Sequence, residues 1–280
     1  MKDRALLWGL RGAAGLSGLI VLLIGGFVAS EAWPALREVG LLRFITDPSW
    51  HPTRALFGLG PMLAGSALIT AGAIALAAPL GLASAVFRTW YAPLAVGRGY
   101  RRLVELLAGV PSVVYGFWGL VVLAPLIGRW QPPGASLLAG VLIVALMVLP
   151  TVMLLSDAAI AAVPAEHVLA AAALGLSRPA VLREIVLPSA LPGIAGGVLL
   201  ASTRALGETM AVLMVTGNVV QVPDSLFAPM RTLTANIALE MAYAMGAHRS
   251  ALFVGGLLLI GAVVALVSAA HHIAGRRPHG

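Results

Sequence analysis

Two ionisable residues stand inside an apolar stretch where packing alone has no use for charge. Arg204 and Glu208 lie four residues apart in the run Ala190 to Thr216, a spacing that places both on one face of an α-helix. A charge at membrane depth is costly and normally faces a partner or an aqueous pathway. The planar fork of arginine donates two parallel hydrogen bonds to an oxyanion such as phosphate and keeps its charge when desolvated. A carboxylate one turn away competes for that guanidinium, which permits release, and accepts a hydrogen bond from a protonated phosphate oxygen. Arg204, Glu208 and the adjoining Thr209 are therefore the candidate substrate pathway; a structural ion pair holding the bundle together is the alternative.

The elements that position these residues are membrane helices. Of 280 residues, 60% are hydrophobic and 10% charged, and the mean hydropathy is +0.97, too apolar for a soluble globular chain. The net charge of +7 is scattered between apolar runs instead of gathered on one domain, which speaks for membrane topology and against nucleic acid. With no cysteine, disulfides, thiol nucleophiles and cysteine metal sites are excluded.

Six segments reach the roughly 20 apolar residues that a crossing needs: Gly12 to Ser30, Leu56 to Phe87, Leu103 to Ile127, Ala135 to Leu155, Ala190 to Thr216 and Ala251 to Ala270. The first comes after the basic start Met1 to Arg4 and reads as an uncleaved span, being long for a signal peptide. A cytoplasmic amino terminus puts Lys2, Arg4, Arg11, Arg88, Arg98, Arg101, Arg102, Arg178, Arg183, Arg276 and Arg277 inside. Arg37, Arg43, Arg54, Arg129, Arg231 and Arg249 then lie outside, so the positive-inside rule places both termini in the cytoplasm. Pro79, Pro111, Pro125, Pro150 and Pro192 fall within spans, where neighbouring helices re-satisfy freed carbonyls. Gly193, Gly196, Gly197, Ala201 and Ala205 give the fifth span a small-residue face for close packing. Trp33, Trp50, Trp90 and Trp130 read as interfacial anchors.

The cytoplasmic segment Ser156 to Leu187 has the pattern helix, turn, helix. Pro164 opens a first helix through Leu174, Gly175 suits a left-handed exit, Ser177 is placed to cap a second helix, and Pro188 ends it. A DNA-reading unit has a similar turn, but this one offers mainly Arg178 and Arg183 between two spans. A short, partly apolar helix is better suited to docking in a groove on a soluble partner.

Gly175, followed after nine intervening residues by Ile185-Val186-Leu187-Pro188 and preceded by Ala170-Ala171, resembles the EAA loop of ATP-binding-cassette import permeases, which seats on the ATPase as a coupling helix. Leu169 stands where that loop has a glutamate; Glu166 lies one turn earlier. The strings Arg204-Ala205-Leu206-Gly207-Glu208-Thr209-Met210-Ala211-Val212 and Leu107-Ala108-Gly109-Val110-Pro111-Ser112-Val113-Val114-Tyr115-Gly116 resemble the PstC-type phosphate permeases. Trp50-His51-Pro52 and His248-Arg249-Ser250-Ala251-Leu252 are similar to that family as well. The resemblance implies an all-α, six-helix permease of the type I importer (MetI-like) fold, one transmembrane domain over 1–280 with its core at about 56–275 and a coupling loop at 156–188. It implies contact with the ATPase through Glu166, Ala170, Ala171, Gly175, Ile185, Leu187 and Pro188. It further implies a PstA-type permease as heterodimer partner, two ATPase copies, and an external phosphate-binding protein that hands over the substrate in a prokaryotic inner membrane.

The single lysine, Lys2, and the lack of a G-x-x-x-x-G-K-[ST] loop leave nucleotide binding to another polypeptide; no cofactor or metal is expected. Three rivals stand beside this reading. Another tetrahedral oxyanion such as sulfate, molybdate or phosphonate satisfies the same arginine chemistry. A secondary transporter or channel needs no coupling loop. An intramembrane serine protease would use Gly15-Leu16-Ser17-Gly18 with His271 or His272, although glycine and serine are common on packing faces.

Overall fold

The computed structural model describes residues 2–275, without the side chains of residues 2–5 and 270–275. Arg276 and Arg277, and the side chains of Lys2, Arg4, His271 and His272, thus lie outside the described residues. The described chain is helical apart from its connections and one small hairpin, β1 (Trp50–His51) paired antiparallel with β2 (Leu56–Phe57).

Helix α1 (Lys2–Val39) leads, after Gly40 at φ +83°, into the short α2 (Leu41–Thr46). Helix α3 (Gly60–Val86) runs on through a π-turn at Phe87–Tyr91. It begins after β2, so residues 56–59 of the expected second span belong to the hairpin and its exit. Next come α4 (Leu94–Ala108), then α5 (Ser112–Trp118), which passes through a π-turn at Gly119–Leu123 into α6 (Ala124–Gly128). Helix α7 (Leu137–Ala161) is the centre of the bundle, apolar on every side and packed mainly on α3 and on α10 (Leu187–Gly207). Helices α8 (Ala165–Ala173) and α9 (Arg178–Val181) form a hairpin at one end of the bundle. Beyond α10 come α11 (Met210–Val215), α12 (Leu233–Glu240) and α13 (Gly246–Gly275), which packs along α1.

Glycine makes the central contacts possible. A Cβ on Gly193 would meet the Cβ of Ala159 at 2.6 Å, and one on Gly197 would meet that of Leu155 at 2.8 Å, so α10 lies against α7 with almost no side chain between them. Gly196 faces open space; the expected small-residue face is narrower than its composition suggests.

Among the described residues five helices are long and apolar enough to cross a membrane, and a sixth crossing is reached there when a bent pair is taken as one span. The expected third span, Leu103 to Ile127, is not straight: α4 and the helix from Ser112 to Gly128 meet at 89°. Pro111, at φ −60° and ψ 142°, lacks the N–H needed to continue α4 and sets the start of α5 instead. The expected fifth span is also interrupted, ending at Gly207 and resuming at Met210.

Two expectations for the hairpin change. Ser177 sits before α9 without a side-chain capping bond. Pro188 does not end the second helix: Arg178 to Gly207 is one continuous helix, because the π-turn at Leu182–Val186 widens the backbone just ahead of the proline.

Candidate functional site

The interruption in the fifth crossing is the centre of the site. Glu208 is extended, at φ −67° and ψ 129°, so it no longer shares a helical face with Arg204. Its Oε1 accepts a hydrogen bond from the Ala211 N–H at 3.0 Å, satisfying one of the free donors that open α11. Its carbonyl accepts from the Thr234 hydroxyl at 2.8 Å, and the Thr209 hydroxyl donates to the Gly207 carbonyl at 3.2 Å. The exposed backbone of the break is thus met by nearby side chains, as an irregular segment at membrane depth requires.

Arg204, in the last turn of α10, points elsewhere. Its Nη1 donates to the Thr151 hydroxyl at 3.3 Å, close to the middle of α7, and the side chain is exposed on the isolated chain. The ion pair with Glu208 that their spacing suggested is absent among the described residues; no carboxylate lies within ion-pair distance of Arg204 there. The reason is local: once the helix stops at Gly207, the glutamate turns to cap α11.

The 89° bend lies beside this break. The Tyr115 hydroxyl donates to the Leu107 carbonyl at 2.8 Å, tying α5 back to the end of α4 and satisfying a group the bend sets free. A Cβ on Gly116 would lie 2.8 Å from the Cα of Ala211, so α5 and α11 touch backbone to backbone. The two sequence strings most informative about function, Leu107 to Gly116 and Arg204 to Val212, therefore form one irregular patch.

Two buried carboxylates, neither singled out by the sequence, fasten the ends of the bundle. At the hairpin end Asp157, 1% exposed, accepts from Arg88 Nη1 at 2.6 Å, the Thr89 hydroxyl at 2.9 Å and Arg101 Nη1 at 3.3 Å. At the opposite end Glu240 holds Arg231 Nη1 at 2.7 Å through Oε1; its Oε2 takes Trp50 Nε1 at 3.0 Å and lies 2.9 Å from His248 Nε2. Trp50 is accordingly a buried tie between loops and not an interfacial anchor. An acid at the end of an otherwise apolar run was the available signal for Asp157; Glu240 carried none without its partners.

In the hairpin, Gly175 adopts φ +80°, the left-handed exit its position suggested. Glu166 is exposed in the first turn of α8, Ala170 is exposed and Ala171 buried. Ala170, Ala171 and Ile185 share a cavity of about 380 Å³ with His167, Leu174 and Leu176. Leu187 is half-buried and Pro188 exposed on the helix above. Leu169 and Leu174 stand out at 68% and 81% exposed, an apolar edge with no cover from this chain.

Comparison with known proteins agrees with this architecture. The family model described as "Binding-protein-dependent transport system inner membrane component" matches residues 77–279. The phosphate transport system permease protein PstC of Mesorhizobium japonicum is 37% identical over 266 residues, covering 86% of this chain and 81% of the relative. The probable ABC transporter permease YqgH of Bacillus subtilis is 37% identical over 233 residues, covering 82% and 72%. Among solved structures, a bacterial ABC transporter involved in alginate import aligns with a TM-score of 0.67 at 12% identity, covering 98% of this chain and 96% of that one. The MetNI methionine transporter aligns at 0.59 and 19% identity, covering 78% and 93%. These two likenesses show the fold.

Proposed function

Because the chain belongs to the inner-membrane components of binding-protein-dependent transport systems, we propose that it is the PstC-type subunit of an importer that carries inorganic phosphate across the cytoplasmic membrane. Arg204 is the group that meets the anion. One observation carries this reading: a guanidinium near the middle of the bundle, held by a neutral threonine hydroxyl, with no carboxylate in reach among the described residues. Such a group keeps its donors for an anion. Glu208 and Thr209, at the break beside it, offer an acceptor and a hydroxyl to a protonated oxyanion.

The α8–α9 hairpin faces the cytoplasm in this proposal. Arg88, Arg98, Arg101, Arg102, Arg178 and Arg183 lie at its end of the bundle, as the positive-inside rule favours. Glu166, Ala170, Ala171, Gly175, Ile185, Leu187 and Pro188 form the face seated on the ATPase, with Leu169 and Leu174 supplying apolar contact. The protein is a non-catalytic subunit: ATP is hydrolysed by the partner, a PstA-type permease completes the pathway, and an external binding protein delivers phosphate to the Glu240 end. The likeness to PstC relatives supports these partners.

The test is uptake of labelled phosphate into proteoliposomes that hold the assembled importer, with ATP on the ATPase side. Arg204→Gln is expected to lower ATP-dependent uptake about a hundredfold while the complex still assembles. Normal uptake by that variant removes Arg204 from the pathway, and equal uptake of labelled sulfate reassigns the cargo.

A further inference from the structure

Helix α4 has three faces, and two of them are unexplained by the bundle. Gly97 and Val104 are buried against it, with Tyr100 half-buried between them; the Tyr100 hydroxyl is within 3.0 Å of Ser84 Oγ. A second face carries Arg98, Arg101, Arg102 and Glu105. A third exposes Leu103, Leu106 and Leu107, and Leu94 at the helix start is 84% exposed.

The helix also lies at a defined depth. Arg101 reaches Asp157 at 3.3 Å, and Asp157 is twenty residues along α7 from Leu137. That is about 30 Å of helical rise, the thickness of the hydrocarbon core. α4 therefore runs at the boundary of the hairpin-side leaflet. Its 89° angle to the crossing helix beyond Pro111 lays it in the membrane plane.

Charge separates the four ionisable groups. Arg101 is compensated by Glu105 at 2.7 Å and by Asp157. Arg98 donates only to the carbonyl of Leu94 at 3.3 Å, and Arg102 has no hydrogen-bond or ion-pair partner among the described residues. They are one helical turn apart, both exposed, and bordered by apolar side chains.

From this arrangement we infer that α4 is a binding surface for anionic phospholipid in the hairpin-side leaflet, with Arg98 and Arg102 holding the headgroup phosphate and Leu103 and Leu106 resting among the acyl chains. A basic, amphipathic helix lying flat at this depth meets an anionic leaflet with both its charge and its apolar side. The inference rests on the membrane placement of the bundle and not on its cargo, so it stands or falls apart from phosphate transport.

Native mass spectrometry of the assembled importer reads it directly, with phosphatidylglycerol or phosphatidylcholine added to the detergent. Phosphatidylglycerol should be retained in preference, and R98Q and R102Q should each lower that retention roughly fivefold. R98K/R102K keeps the charge and should preserve the preference for phosphatidylglycerol. For the unaltered protein, retention should fall as salt is raised. The proposal is overturned if the two lipids are retained equally, if R98Q/R102Q retains phosphatidylglycerol as the unaltered protein does, or if millimolar inorganic phosphate displaces the lipid. Loss of the ATPase subunit from R98Q/R102Q with lipid retention unchanged would mark the surface as a protein contact and also overturn it.

Discussion

The two ends of the bundle and its middle treat charge in opposite ways. At the ends a buried carboxylate is saturated: Asp157 by Arg88, Arg101 and Thr89, Glu240 by Arg231, Trp50 and His248. In the middle, Arg204 and Glu208 each rest on a neutral partner, the Thr151 hydroxyl and the Ala211 N–H. A buried carboxylate that has found its cations has little left to offer a ligand and serves to hold elements in register. A charge left with neutral company at membrane depth keeps most of its interaction energy for something that arrives. The contrast marks the ends as anchors and, under the proposed function, leaves the middle for transport; each part has a consequence that differs in kind.

The largest effect belongs to the hairpin end. Replacing Asp157 with asparagine leaves Arg88 beside a neutral amide where a carboxylate stood, and breaking such a buried pair costs about 3–5 kcal/mol. The thermal unfolding midpoint of the purified chain should drop sharply, with uptake falling only as far as the amount of folded protein falls. A variant of undiminished stability that has lost transport would move Asp157 into the same class as Arg204 and erase the contrast. Arg204→Gln is the converse. Loss of a bidentate, charge-assisted contact to the anion amounts to about a hundredfold in uptake, with the unfolding midpoint unmoved. If the midpoint falls with uptake, the arginine is part of the scaffold.

At the opposite end, Glu240→Gln keeps a hydrogen-bonding group toward Trp50 but removes the charge that pairs with Arg231. A smaller cost of about 1–3 kcal/mol is expected, again in the unfolding midpoint and not in uptake per folded molecule. A transport defect in a fully stable Glu240→Gln protein would show that this end takes part in receiving the substrate instead of merely closing the bundle.

The anchors were hidden in the sequence for the same reason that they are strong. Asp157 finds its partners 56, 68 and 69 residues away, and Glu240 finds Trp50 at a separation of 190; no local pattern encodes contacts of that range. Features set by local chemistry were legible: the apolar runs that became α1, α3, α7, α10 and α13, the left-handed Gly175, and the close approach of Gly193 and Gly197 to α7. The two interruptions were not. Pro111 and the Gly207-Glu208 pair sit in stretches whose hydropathy is continuous, and proline and glycine are tolerated inside membrane helices. Whether the chain bends there is decided by which groups satisfy the freed backbone. Tyr115 does so at the first, and Thr234, 26 residues from Glu208, does so at the second. Arg204 and Glu208 stand out in the sequence as charges in an apolar run, but their four-residue spacing suggests a pairing that the break undoes.

The smallest effect probes the middle from within. If the neutral company of Arg204 is what leaves it free for an anion, then Thr151 acts by positioning the guanidinium and not by balancing its charge. Thr151→Val is nearly the same shape and removes only the hydroxyl, so the bundle should keep its stability. The arginine then loses one long hydrogen bond, and uptake should fall a few-fold, about threefold to tenfold, the worth of an ordinary net hydrogen bond. The loss should appear mainly as a raised KM for phosphate delivery with the maximal rate largely kept, because a guanidinium free to swing still binds but is less often aimed. Thr151→Ser restores the hydroxyl and should restore the KM. Failure of that rescue would mean that the methyl packing and not the hydroxyl matters at position 151, whereas Thr151→Asp should be worse than valine, since a carboxylate there would give Arg204 the saturating partner that distinguishes the ends from the middle.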